Sequence, residues 1–173
     1  MVVTLVQPYN SAWPQWFDDI RRVLEAGLDD AYLRIEHVGS TSIPGMIAKP
    51  IIDIDIVIAP GTFPATRERL AQLGYVHEGD QGIPTREAFD LMDEALRNRL
   101  PRHHLYVCAE DSPELARHIA FREFLKRHPE YRDQLGQLKW ALAEQFDNDK
   151  YPYMDGKAAL VREIIALAQR EQG

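Results

Sequence analysis

The chain has 173 residues, a formal charge of −7, 45% hydrophobic residues and 27% charged ones. That composition is ordinary for a globular protein, and the length favours one core over two independent ones, so a single domain over 1–173 is expected. The negative balance disfavours long-range attraction to nucleic acid or an anionic membrane. No apolar run is long enough to span a bilayer. The opening Met-Val-Val-Thr-Leu-Val-Gln-Pro lacks the basic and apolar regions of a secretion signal. A cytoplasmic protein that leaves membranes alone is the expectation. Cys108 is the single cysteine; it follows an apolar run and is expected to be packed and inert.

In chain order, Val2 to Val6 reads as a short edge strand stopped by Pro8. Trp13-Pro14 opens a helix whose buried stripe is Phe17, Ile20, Leu24 and Leu28. Arg34 to Val38 is a strand leading into a Gly-Ser turn, and Ile51 to Ile58 is the next strand, ended by Pro60-Gly61. A helix over about 64–73 follows, with Gly74 as its C-terminal cap. Tyr75 to Glu78, Ala88 to Met92 and His104 to Cys108 are further strands. Ser112-Pro113 caps and opens a helix to about Lys126, and Pro129 restarts one carrying Tyr131, Leu135, Leu138 and Leu142. Leu160, Ile164 and Leu167, with Val161 and Ile165, mark the last helix. Strands in the middle and helices at the ends predict an α/β (α+β) fold, a mixed sheet flanked by helices.

The chemistry concentrates in Gly39-Ser40-Thr41-Ser42-Ile43-Pro44-Gly45 and Pro50-Ile51-Ile52-Asp53-Ile54-Asp55. Strand side chains alternate, so Asp53 and Asp55 share one face while Ile52, Ile54, Ile56 and Ile58 take the other. Paired carboxylates repel and lose hydration unless a cation or donors satisfy them. Their hard oxygens suit Mg²⁺ or Mn²⁺. The turn offers Gly39 for close backbone approach and Ser40 for a phosphate hydrogen bond. It is not a Walker loop, whose Gly-Lys-Ser/Thr ending is absent. The competing structural readings are an exposed face of an edge strand for the aspartates, and a flexible loop for the turn. Lys49 can neutralise phosphate or lie solvated before Pro50. His37 can contact phosphate or be a structural histidine. Arg86, Arg102 and Arg122 are candidate phosphate or carboxylate clamps, each with an ordinary ion pair as the alternative.

These residues resemble the GrpB-like family. Glu36 to Gly45 and Lys49 to Asp55 look like its signature, Tyr9, Trp13, Pro14 and Phe17 like its opening motif, and Gly82-Ile83-Pro84 with Arg86 and Phe89 like its middle motif. Phe121-Arg122 and Lys139, Lys150 and Lys157 extend the match over nearly the whole chain. The family is similar to the appendage fused to some bacterial dephospho-CoA kinases. It is placed in the nucleotidyltransferase superfamily, whose pattern is Gly-Ser or Gly-Gly, a short gap, then Asp-x-Asp or Asp-x-Glu. The resemblance implies a nucleotidyltransferase-like fold, with Gly39 and Ser40 at nucleotide phosphate and Asp53 and Asp55 at the metal. Active members of the superfamily usually add a third carboxylate on a later strand. Here that segment reads Arg102-His103-His104-Leu105-Tyr106-Val107. Parity turns His104 and Tyr106 away from the core-facing Leu105 and Val107, toward the aspartates. Asp90, Asp93 and Glu94 are alternative acids.

The resulting expectation is a metal-dependent nucleotidyltransferase acting on a small molecule. Asp53, Asp55 and His104 would be catalytic, Asp53 and Asp55 would hold Mg²⁺ or Mn²⁺, and the substrate would meet Gly39, Ser40, Thr41, His37, Lys49, Arg86, Arg102, Tyr106 and Arg122. The partners would be a nucleoside triphosphate and an acceptor, with nucleic acid disfavoured and a homo-oligomer left open. The alternative is a non-catalytic module that binds a nucleotide or a CoA precursor.

Overall fold

A computed structural model describes residues 2–172. The fold is mixed α+β, with a mixed five-stranded sheet and flanking helices. The chain divides into two compact units, each built from separate stretches. One comprises Ala12–Val38 and Ile51–Ala116; the other comprises Met1–Ser11, Gly39–Pro50 and Arg117–Gly173.

The first unit carries the whole sheet. Its helix α1 (Trp13–Leu28) has Pro14 in the first turn, where a missing N–H costs nothing, and buries Trp13, Ile20, Leu24 and Leu28. Strands β1 (Arg34–Val38), β2 (Ile52–Ile58), β3 (Tyr75–His77), β4 (Glu87–Leu91) and β5 (His103–Ala109) lie in the order β1-β2-β5-β4-β3. β2 runs parallel to β5, and the other pairings are antiparallel. β2 therefore has a neighbour on each side, and Ile52, Ile54, Ile56, Val57 and Ile58 are all buried. The edge-strand reading of the aspartates is thereby corrected: this apolar segment is interior to the sheet.

Helix α2 (Phe63–Leu73) packs against α1 and β3. It ends at Gly74, whose φ of 102° is a left-handed cap that an added Cβ would drive into Asp93. Helix α3 (Glu94–Arg99) was not anticipated. Its six residues are too short for a periodic stripe, but Asp93 accepts a hydrogen bond from the Leu96 N–H at 2.8 Å, an N-cap.

The second unit is helical. It takes helix α4 (Pro113–Arg127) from Arg117 onward, then α5 (Pro129–Gln145) and α6 (Lys150–Gln172). Ile43, Met46, Phe124, Leu125, Leu135 and Ile164 form one core cluster, and Val6, Leu142, Ala143 and Tyr153 another. Each large apolar side chain so buried contributes roughly 1.5–3 kcal/mol. The expected strand at Val2 to Val6 is corrected. Residues 2–6 join no strand; the N–H groups of Thr4 and Leu5 donate to the Asn148 amide oxygen at 2.9 and 3.1 Å, and the next residue, Gln7, makes an isolated bridge to Ala48. No helix among the described residues is long and apolar enough to cross a membrane.

Candidate functional site

In the sheet unit, register fixes what shares a face with the aspartates. Asp53 lies opposite Val38 of β1 and His104 of β5, and Asp55 lies opposite Glu36 and Tyr106. Residues directly opposite in a ladder point the same way, so Glu36, Asp53, Asp55, His104 and Tyr106 line one side. Asp55 is completely buried, whereas the Asp53 side chain is 32% exposed. His104 Nδ1 stands 3.0 Å from Asp53 Oδ1. A neutral imidazole donating from Nδ1 would keep its Nε2 lone pair for another proton.

Arg86 covers this face. Its guanidinium lies 4.0 Å from the centre of the Tyr106 ring, a cation–π stack. Burial raises the Tyr106 phenol, Asp53 and Asp55 raise it further, and Arg86 opposes them. Two residues further along β5, burial pushes the Cys108 thiol up to about 12, with Asp55 adding to it. That thiol is buried and stays protonated, as expected for an inert core cysteine.

Glu36, which belongs to the signature motif, is an acid opposite Asp55. The signal was present: antiparallel pairing across the connection places one β1 acid on the aspartate face. Glu36 also accepts from Arg34 Nε at 3.0 Å. Asp93 serves as the α3 cap, and Asp90 is exposed near the start of β5. His37 does not join the aspartates. It lies opposite Ile54, on the other face, with its ring stacked 4.8 Å from Phe17 of α1. Arg102 is exposed just before β5, and its carbonyl accepts the Ile52 N–H at 3.1 Å. Neighbouring His103 is held at both nitrogens: Nδ1 donates to the Pro101 carbonyl and Nε2 accepts the Tyr75 hydroxyl, each at 2.7 Å. Burial, above all, lowers its pKa.

In the helical unit, Gly39 has φ 74° and ψ −175°, a backbone region that is essentially glycine-only. A 3-10 turn, Ser40–Ser42, follows, closed by the Ser42 N–H donating to Gly39 O and the Ile43 N–H to Ser40 O, each at 3.1 Å. Ser40 is partly exposed while Thr41 is buried. Lys139 of α5 is only 2% exposed, and its ammonium donates to Ser40 Oγ at 2.6 Å and to Ile47 O at 3.2 Å. The family resemblance named Lys139 without a contact. Its position offered a clue, because it sits in the Leu135–Leu142 stripe where an apolar residue belongs. Lys49 and Lys157 approach the ring of buried Tyr153 at 5.0 and 5.4 Å. Arg122 pairs with Glu123 at 2.9 Å.

Chemically, the sheet unit offers hard carboxylate oxygens beside an imidazole, and the helical unit offers a glycine-led turn backed by lysines. Two carboxylates suit a hard divalent ion that takes its remaining ligands from phosphate and water. Among the described residues, no three His, Cys, Asp or Glu side chains close on one point as a complete metal cage.

The profile of the family described as GrpB protein matches residues 3–167. The UPF0157 protein YqkA of Bacillus subtilis strain 168 is 31% identical over 166 residues, covering 94% of this chain and 46% of the relative. The chain thus spans about half of that relative's length. The crystal structure of conserved protein GrpB from Enterococcus faecalis matches with a TM-score of 0.82 and 28% identity, over 96% of this chain and 98% of that one. A MgGTP-bound structure of the Cid1 poly(U) polymerase matches with a TM-score of 0.53 and 9% identity, over 77% of this chain and 42% of that one. The last likeness is one of fold alone.

Proposed function

This chain belongs to the GrpB protein family, and on that premise we propose that it is a metal-dependent nucleotidyltransferase acting on a small molecule. The observation that carries the reading is the acidic sheet face. Asp55 is wholly buried, shares a side with Asp53, and has Glu36 directly opposite. Carboxylate oxygens gathered on one face are the hard ligands that a divalent cation takes. The nucleotidyltransferase-like fold, seen in the likeness to Cid1, lends further support.

In this reading Asp53 and Asp55 hold Mg²⁺ or Mn²⁺, which when bound supplies Lewis-acid stabilisation of charge on phosphate oxygens. Ser40 accepts from Lys139, so its own hydroxyl hydrogen is turned to a triphosphate oxygen; the cation behind it strengthens that donor. Lys49 and Lys157 add positive charge to the same helical unit. His104, oriented by Asp53, takes the acceptor's hydroxyl proton at Nε2. The acceptor oxygen forms a bond to the α-phosphorus, the bond to the bridging oxygen breaks, and pyrophosphate leaves with the electron pair. Arg86 holds Tyr106 flat against the face.

The second reading is a non-catalytic module that binds a nucleotide or a CoA precursor. It is favoured by β5, which presents His104 and Tyr106 beside the aspartates where the superfamily pattern puts a carboxylate. Pyrophosphate release distinguishes the two. The protein is incubated with ATP, CTP, GTP or UTP, a mixed metabolite pool, and Mg²⁺ or Mn²⁺. Release that stops on chelation is expected; nucleotide binding without release under every condition selects the module.

A further inference from the structure

The sheet unit contains an open cavity of about 870 Å³, walled in part by His104, to which the transferase reading assigns no ligand. It lies at the β5 end that begins with His103 and His104, and α3 forms another wall. Its size is that of a small-molecule site. Its lining is polar and carries both signs of charge: Arg97 and Arg102 against Asp90 and Glu94. These four side chains are exposed, and none makes an ion pair or hydrogen bond to the described residues. Asp90 also acts by charge on neighbouring His103, and single surface charges of this kind are common. Here two guanidiniums and two carboxylates line one concavity whose wall also holds His104, hydrogen-bonded to Asp53.

We propose that this cavity is the acceptor site and takes a small zwitterion bearing a hydroxyl group. Its carboxylate or phosphate arm meets Arg97 and Arg102, whose planar donor forks fit such oxygens. Its ammonium meets Asp90 and Glu94, and its hydroxyl faces His104. A wholly anionic or wholly cationic ligand would leave one pair of charges unanswered. His103, tied to Pro101 and Tyr75, is the positioning residue that keeps this wall in place. The acceptor role rests on the transferase reading; binding of the zwitterion does not.

Binding is therefore read without nucleotide or metal. The probes are the dipeptide alanyl-serine, its N-acetyl form without the ammonium, and its C-terminal amide without the carboxylate. Amide chemical-shift titration of the full-length protein is expected to move cavity resonances with alanyl-serine, and to show binding weaker by about tenfold with either blocked form. Arg102→Gln and Glu94→Gln, both surface changes that leave the fold intact, are expected to weaken alanyl-serine by a similar factor. Equal binding of the three probes, or unmoved cavity resonances with all of them, overturns the proposal. Binding of alanyl-serine by a protein that never releases pyrophosphate keeps the zwitterion site and refutes the transferase reading alone.

Discussion

At the level of single residues, the contact between Lys139 and Ser40 ties the proposed phosphate donor to the helical core. A buried ammonium donating to a serine hydroxyl leaves that hydroxyl one hydrogen to give. Ser40→Ala is expected to weaken ATP by about 1 kcal/mol, roughly fivefold, in a protein that still folds but melts at a lower temperature, because the buried Lys139 ammonium loses an acceptor. Calorimetry showing equal affinity in folded wild type and variant would remove Ser40 from the phosphate site. Cys108 supplies a residue-level check of the core. Its thiol, pushed up to about 12 by burial, should resist iodoacetamide in the native protein at about pH 8 and react once urea unfolds it. Labelling of the native protein at the unfolded rate would contradict that packing. Gly39 and the aspartates were legible from sequence because their chemistry is local. The partners of Lys139 and Glu36 were not, because each partner lies at a distance along the chain.

The elements most visible in advance were those with a strong period. Alternation in 51–58 and the stripe of α1 both appear close to where they were expected. The opening of α6 carries no clear helical period, because Pro152 and Gly156 interrupt the pattern. Gly156 is a contact residue, since an added Cβ there would meet Leu142 at 2.6 Å. His37 shows how a residue can belong to a signature motif and still face away, since parity puts it beside Ile54.

β5 also carries a pH signature. The unfolded chain protonates His103 near the ordinary value of 6.5, and the folded chain only at lower pH, because burial opposes the charge. Between those values the unfolded state binds more protons, so stability rises with pH. This contribution is complete above the unfolded pKa and drains away as pH falls below it. Urea midpoints should therefore drop between about pH 7.5 and pH 5.5, and His103→Gln should flatten that part of the dependence. An identical slope in the variant would assign the proton uptake elsewhere.

For the molecule as a whole, the notable fact is that the units interleave along the chain. Ile43 and Met46, from the turn segment, sit in the same core as residues of α4, α5 and α6. The fragment 117–173 lacks them and should show no cooperative thermal transition by circular dichroism; a sharp transition would mean that the helices suffice. Composition and periodicity conveyed the fold class, but this interleaving depends on tertiary packing that no local pattern encodes.

The most direct test of the proposed chemistry is manganese binding followed by the electron paramagnetic resonance of the free ion. With ATP present, the wild-type protein is expected to deplete the free Mn²⁺ signal beyond what ATP alone does. Asp53→Asn and Asp55→Asn, which keep shape and remove charge, should each weaken that binding by at least about tenfold. Variants that remain folded and take up Mn²⁺ as wild type does would show that Asp53 and Asp55 do not hold the ion, and would contradict metal-dependent transfer at this face.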